Sequence, residues 1–236
     1  MFGEPRIHVP ECESTQQLLG AELPEGAVAT TDHQTAGRGR LGRAWDDASG
    51  ASILCSVLLK PPATRNIAEL TLVGGLATAE TVERALDRVA MVKWPNDVLV
   101  DGRKVSGGLA EARAGVVILG LGVNVNQTAR QLPPDARVPA ASLRTIDGRE
   151  RDVEELLGNL LATLERHYTT WVAGGLGPLH ARIAERDFLR GRAVAVNGVS
   201  GIAQGIGKDG RLELESPSGT VFVASGEVSV SFTPGV

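Results

Sequence analysis

Apolar residues recur along this chain in two rhythms, and the change from one to the other divides it. Leu70, Val73, Ala77 and Leu86 fall at helical spacing, as do Leu156, Leu157, Leu160, Leu161 and Leu164, so each set marks one face of a helix. Both stretches carry start signals, Asn66 to Glu69 before the first and Asp152 with Glu155 before the second. Ser14-Thr15-Gln16-Gln17 ahead of Leu18-Leu19 reads as a capping box opening a short helix, and a further helix is expected to end near Phe188. Between them lie short apolar runs that predict strands: Ala27 to Thr31, Ile53 to Leu59, Met91-Val92, and Val116 to Leu119. Val98 to Val100 and Val105 onward flank Asp101-Gly102-Arg103-Lys104, a hairpin pattern. Residues 127 to 141, with Pro133, Pro134 and Pro139, read as an irregular loop. After Gly191 the runs become short and even: 194–196, 202–203, 212–214, 221–223 and 228–230, separated by Gly, Asp and Ser turns. That is the pattern of a small all-β barrel. The prediction is an α+β fold: a body at 1–188 mixing strands with helices, and a β appendix at 189–236.

Composition narrows the class. The 236 residues are 42% hydrophobic and 22% charged, ordinary for a folded globular chain. A formal charge of −4 argues against a protein devoted to nucleic acid, which carries a basic footprint. Cys12 and Cys55 are far apart and in no metal-binding spacing, so reduced thiols and a cytoplasmic location are expected. No apolar segment precedes Glu4, Arg6 and Glu11, which argues against a signal peptide, and no run has the length of a membrane span.

The densest chemistry is Gly37 to Arg43, G-R-G-R-L-G-R: three glycines interleaved with three arginines. Glycine permits close backbone approach, and arginine supplies a permanently charged fork for carboxylate or phosphate. The segment satisfies G-x-G-x-x-G, yet a dinucleotide fingerprint needs a helix after it. Here Trp45 to Gly50 is turn chemistry and Ile53 to Leu59 a strand. Neither H-R-D nor D-F-G occurs, so a kinase loop is excluded too. No Walker A motif is present; Gly207-Lys208-Asp209-Gly210 reads as a hairpin turn.

Four segments together resemble the biotin protein ligases. They are Ser14-Thr15; His33 to Arg40 continuing to Trp45; Lys93-Trp94-Pro95-Asn96-Asp97 with Arg103-Lys104 and Gly107-Gly108; and Gly120 to Asn126. Their order and spacing, with the β-rich tail, carry the resemblance over nearly the whole chain. It implies a mixed-sheet catalytic domain of the class II synthetase-like, biotin–lipoate ligase type at 1–188, and an SH3-like barrel at 189–236. With Met1 just upstream of the first motif, a monofunctional ligase without a DNA-binding domain is expected. The implied chemistry has two steps. Biotin's carboxylate attacks the α-phosphate of ATP to give biotinyl-5′-AMP and pyrophosphate, with Mg²⁺ assisting. A lysine of a biotin carboxyl carrier domain then attacks the mixed anhydride and AMP leaves. Neither step requires an enzyme nucleophile, so fixed positive charge and positioning should carry catalysis. The expected partners exclude nucleic acid and membranes; a homodimer stays open.

The resemblance assigns roles position by position. Lys104 is placed to hold biotin's carboxylate and the α-phosphate, while Arg38 and Arg40 close over the adenylate, giving three expected catalytic residues. Ser14 and Thr15 are helix caps or hosts for biotin's ureido oxygen, and both readings are compatible. Gln34 should bond the same ring, with Gly37, Gly39, Gly107, Gly108 and Gly122 marking close approach. Trp45 is a core anchor or a lid. On the nucleotide side stand Arg38, Arg40, Arg43, Trp45, Asn96, Lys104 and Asn124. Asn124 either reads the adenine edge or stabilises its own loop. Asp97 either binds Mg²⁺ or, with Asn96, holds the turn before the hairpin. Gln16 departs from the asparagine usual after Ser-Thr, which puts any contact from that position in doubt. His8, His33, His167 and His180 form no ligand cluster.

Two alternatives belong to other classes. Lipoate–protein ligases share the adenylate chemistry but show an R-R-x-x-G-G-G-like loop, absent here. A nucleic-acid-binding regulator would use the arginine loop, against which the acidic balance weighs. The β appendix shows no chemistry of its own. Its strand edges could pair with an acceptor or a second copy.

Overall fold

The segment Ser-Ile-Leu-Cys-Ser-Val-Leu-Leu has no large polar side chain on either face, and all eight residues are buried. Such a strand belongs at the centre of a sheet covered on both sides. In the computed structural model, which describes residues 1–230 apart from 135 and 137, it is β3 (Ser52–Leu59). Two positions of the expected 127–141 loop, Asp135 and Arg137, therefore lie outside the described residues. Around β3 run β1 (Arg6–Cys12), β2 (Val28–Gln34), β4 (Ala90–Lys93), β5 (Asp97–Val100), β6 (Arg103–Arg113) and β7 (Val116–Asn124). The sheet order is β1-β2-β3-β7-β6-β5-β4; β1 and β2 are parallel and every other pair antiparallel.

Two long helices cover one face. α1 (Leu70–Leu86) starts where the Asn66 side chain accepts from the Ala68 amide, and ends at Asp87 in the left-handed region. α3 (Val153–Gly174) is capped by Asp152, whose carboxylate accepts from the Glu154 and Glu155 amides, and stops at Gly175. The expected Leu stripe of α3 is buried with Tyr168 and Trp171. Gly74 of α1 sits so close to β7 that a methyl there would stand 3.0 Å from Leu121, which brings the helix down onto the sheet. Short α2 (Leu143–Asp147) and α4 (His180–Glu185) complete the layer. The last helix stops three residues before Phe188, since Asp187 leaves it to bridge Val92.

The other sheet face is divided. Side chains alternate across a strand, so Leu54, Ser56 and Leu58 of β3 share it with Ile118, Gly120 and Gly122 of β7. At one end Leu58, Val116 and Ile118 join Leu19, Ala27 and Ala29 in a small second core. At the other, Ser56, Gly120 and Gly122 are too small to fill the layer, and a cavity opens there.

The tail forms a separate antiparallel sheet of β8 (Ala193–Val196), β9 (Val199–Ile206), β10 (Leu212–Ser216), β11 (Gly219–Val223) and β12 (Val228–Val230), in the order β11-β10-β9-β8-β12. Asn197 and Gly198, both at positive φ, make the β8–β9 turn, as Asp101 and Gly102 do for β5–β6. Val194, Leu212 and Leu214 bury into the core shared with the body. Asp187 splices the two: its buried carboxylate accepts from the Leu189 and Ile206 amides. Trp94 donates from the body to the Gly210 carbonyl at 2.9 Å. No helix among the described residues is long and apolar enough to cross a membrane.

One local expectation is corrected. The short helix is present as a 3-10 helix at Thr15–Leu18, but Ser14 makes no side-chain cap bond. Thr15 turns inward instead, its amide donating to Gln34 Oε1 at 2.9 Å and its hydroxyl sharing a bond with Ser56 at 2.7 Å. The strand β1 is an addition to the elements that the apolar pattern predicts.

Candidate functional site

The cavity, about 720 Å³, opens on the sheet face left unfilled by Gly120 and Gly122. Its walls bring together Ser14, Thr15, Gln34, Arg38, Gly39, Arg40, Arg43, Trp45, Asn96, Asp97, Lys104, Gly107, Gly108, Gly122 and Asn124. Of the residues the sequence singles out, Gly37 alone does not line it. That glycine shapes the framework behind the wall, since a methyl there would meet the Trp45 carbonyl at 2.5 Å and its own carbonyl accepts from the Trp45 amide.

The arginine loop is a closed turn. Arg38 bridges Ala44, and the Gly39 amide donates to the Arg43 carbonyl at 2.7 Å, so the three cations leave one short crossing of the cavity mouth. Leu41, at its tip, is left-handed with φ 57° and ψ 34°, a conformation costing about 1–3 kcal/mol for a residue with a side chain. Arg38 reaches Glu111 at 3.8 Å. Arg43 is bonded to Glu227, which holds its proton more firmly than usual. Arg40 is half-buried beside Asn96 and the Gly226 carbonyl; burial lowers its proton affinity, while Asp97 and Glu227 oppose that. It stays a cation, as guanidinium does in proteins, but a desolvated one, and such a charge favours an incoming anion.

Lys104 owes its aim to an irregularity in the hairpin. Pairing between β5 and β6 slips by one residue, with Val98 opposite Ser106 and Leu99 opposite Lys104, so Val105 is extra. A bulge of this kind redirects its neighbours. The Lys104 ammonium lies 2.7 Å from Asp97 and 5.6 Å from the Trp45 ring centre. Its backbone takes the 127–141 loop in a parallel bridge to Ala140, donating to the Pro139 carbonyl and accepting from the Ala141 amide, each at 2.8 Å.

Trp45 leans over glycines. A methyl on Gly122 would fall 2.5 Å from its ring, and one on Gly107 3.2 Å. The indole N–H is buried without a partner. Asn124 turns both ends of its amide to protein, donating to the Ala141 carbonyl at 3.0 Å and accepting from Gln127 at 3.0 Å. These bonds tie down the 127–141 loop, and Asn124 lines the cavity at the same time. Asn96 is likewise engaged, donating to the Gly108 carbonyl at 2.9 Å. Gln16 donates to the Leu109 carbonyl at 3.1 Å and lines the cavity, its oxygen buried without a partner. Cys55 lines the wall too, but burial pushes its thiol up to about 12, which disfavours the thiolate.

Sequence reasoning missed part of this wall. Gly226, Glu227 and Val228 enter from the second sheet, and the buried Lys93 donates to the Val228 carbonyl at 3.3 Å. A turn glycine and a glutamate nearly two hundred residues from the arginine loop carried no signal of that proximity. Lys93 opens the K-W-P-N-D segment, yet the sequence offered no role for it. Outside the cavity, His33 bonds Asp47 at 2.7 Å, and that contact raises its pKa. Asp47 also accepts from the Gln34 amide at 3.1 Å, supporting the strand end that carries Gln34. No group of three or more His, Cys, Asp or Glu among the described residues could hold a metal.

Residues 8–127 match the biotin/lipoate A/B protein ligase family, and residues 190–231 match the biotin protein ligase C terminal domain. The chain is 31% identical to the bifunctional ligase/repressor BirA of Bacillus spizizenii, covering 98% of this chain and 75% of that protein. It is 35% identical to the biotin–[acetyl-CoA-carboxylase] ligase of Mycobacterium tuberculosis, over 89% of this chain and 80% of that one. Among solved structures, the biotin protein ligase from Aquifex aeolicus in complex with biotin and ATP superposes with a TM-score of 0.87 at 31% identity, covering 96% and 98% of the two chains.

Proposed function

The chain belongs to the biotin/lipoate A/B protein ligase family, and on that membership we infer that it is an ATP-dependent biotin ligase, making biotinyl-5′-AMP and passing the biotinyl group to a carrier lysine. The observation that carries the reading is the meeting of Lys104 with the arginine turn at the mouth of one glycine-walled cavity.

In the first step a carboxylate oxygen of biotin bonds to the α-phosphorus of ATP, the bond to the β-phosphate oxygen breaks, and pyrophosphate leaves. Two anions must approach, and in a site shielded from water their repulsion is stronger than in bulk. Lys104 and the desolvated Arg40 supply the opposing charge, already in place before the reaction, which is the economical form of electrostatic catalysis. Arg38 and Arg43, now held by Glu111 and Glu227, are positioned to exchange those carboxylates for phosphate oxygens. In the second step the lysine nitrogen bonds to the anhydride carbonyl carbon, the C–O bond to AMP breaks, and the amine proton passes to solvent. No enzyme nucleophile is used, in keeping with the inert Cys55.

Biotin is assigned to the inner end, where Ser14, Thr15, Gln34 and the unpartnered Gln16 oxygen offer donors and an acceptor for a ureido ring. The nucleotide is assigned to the outer part, near Arg43, Asn96 and the loop that Asn124 anchors. Mg²⁺ fits as a nucleotide-borne ion: Asp97 is a single carboxylate already paired with Lys104, so phosphate and water oxygens would complete the shell. That ion would neutralise phosphate charge. The acceptor is assigned as a biotin carboxyl carrier domain, and the location as cytoplasmic. Pyrophosphate release tests the substrate: biotin should drive it and lipoate should not, and the reverse preference would move the chain to the lipoate branch.

A further inference from the structure

The second step requires a folded acceptor to bring one lysine to the cavity mouth, so whatever forms the rim there meets the acceptor's surface. Leu41 is that rim's most prominent apolar group. It is 71% exposed at the tip of the arginine turn, the second most exposed large hydrophobic side chain among the described residues after Met1. Nothing else in the turn argues for a leucine. The position has left-handed φ, which glycine or asparagine would take more readily, and the side chain packs against no core. A strained, solvent-facing leucine beside a reaction centre is best explained by a partner that covers it.

We propose that Leu41 is a docking anchor for the carrier domain, seated against an apolar patch beside the target lysine, with acidic side chains of the carrier around it. This rests on the ligase reading above. Charge supports the choice of partner. Among the described residues, five Lys or Arg and three Asp or Glu line the cavity, an excess of cations on a chain of net charge −4. An acceptor surface carrying carboxylates around its lysine is therefore steered to this mouth and not to the rest of the molecule. The pairs of Arg38 with Glu111 and Arg43 with Glu227 are solvent-exposed, so a carrier carboxylate can compete for either arginine, and Leu41 stands between them as the rim's exposed apolar contact. Leu41 lines the cavity mouth but carries no charge with which to assist the first step, which sets it apart from the arginines around it.

The test separates the two half-reactions. Leu41→Asn keeps the left-handed backbone accessible while removing the apolar side chain. Biotin-dependent pyrophosphate release by the variant should match wild type within twofold. KM for an isolated biotin carboxyl carrier domain should rise at least fivefold, while biotinyl transfer to hydroxylamine, a nucleophile too small to touch the rim, stays unchanged. Leu41→Met, which keeps an apolar group, should restore most of the lost affinity. An unchanged carrier KM in Leu41→Asn would overturn the proposal. So would equal losses with carrier and hydroxylamine, or a weakened biotin affinity, since either makes Leu41 part of the ligand site. If wild-type enzyme itself fails to label the carrier domain while making adenylate, the acceptor assignment falls and this proposal with it. If it makes no adenylate from biotin, the ligase reading is the one that fails.

Discussion

Replacing Gly122 with alanine tests whether Trp45 forms the cavity wall as described. The added methyl would stand 2.5 Å from Cε2 and Cζ2 of the indole. Carbon atoms in good contact sit about 3.5–4.0 Å apart, so the ring must recede by roughly 1 Å or more. It has little room: Gly107 and Lys104 crowd it from another side, a Gly107 methyl position lying 3.2 Å from Cζ3. Overpacking of this kind costs about 1–3 kcal/mol. If the cost falls on the ligand-bound geometry, biotin affinity weakens by about 5- to 150-fold at 1.4 kcal/mol per decade. Calorimetric titration with biotin measures it. Tryptophan fluorescence reports the ring itself, because the other two tryptophans, Trp94 and Trp171, are fully buried elsewhere. Trp45→Phe should shrink the clash, so the double variant should lose less than the sum of the singles. A Gly122→Ala protein with wild-type biotin affinity and an unchanged emission spectrum would refute this wall.

Arg40→Gly should form adenylate more slowly, because it loses the half-buried cation that opposes first-step repulsion, and should also hold it poorly, so that bystander proteins in the reaction become labelled on scattered lysines; adenylate made at the wild-type rate with no bystander labelling would take both roles from Arg40. Asp187→Ala leaves the Leu189 and Ile206 amides without their acceptor, and with about 1–3 kcal/mol for each orphaned group the unfolding free energy in urea should fall by about 2–6 kcal/mol. His33 titrates above its ordinary value because Asp47 bonds its ring, so folded protein binds that proton more tightly than the unfolded chain does. The pair's stabilisation is thus complete below the unfolded imidazole pKa of about 6.5 and is lost as pH rises through the higher folded value. An NMR titration should place His33 above that reference in wild type and return it to the reference in Asp47→Asn.

Local pattern was enough for much of this molecule. The β5–β6 hairpin follows from Asp101-Gly102 between two apolar runs, and α3 from the leucine stripe behind Asp152. The five short strands of the tail were visible because each is a brief apolar run closed by turn residues. β1 was not, for an edge strand has little to bury: Arg6-Ile7-His8-Val9-Pro10-Glu11-Cys12 is mostly exposed and carries a proline where the ladder is left unpaired. The short turn at Thr15 departs from its capping pattern because its hydroxyl has better partners in Ser56 and Gln34 than in its own backbone. Candidate site residues were legible where charge and glycine alternate in one short stretch, as in Gly37 to Arg43. Long-range geometry was not. That Glu227 would meet Arg43, that Asn124 would tie Gln127 to Ala141, and that a bulge at Val105 would redirect Lys104 all depend on how distant strands pair.

Preassembled positive charge at Lys104 is the claim on which the chemistry turns, and one mass-spectrometric comparison reaches it directly. Wild-type enzyme and Lys104→Gln are each incubated with ATP, Mg²⁺, biotin and a carboxyl carrier domain, and the carrier's intact mass is followed in time. Wild type should place one biotinyl group on one lysine, and the variant should do so at a rate lower by about 10²–10³, the usual effect of removing one preorganised electrostatic contact. A Lys104→Gln protein that labels the carrier at the wild-type rate would contradict that claim.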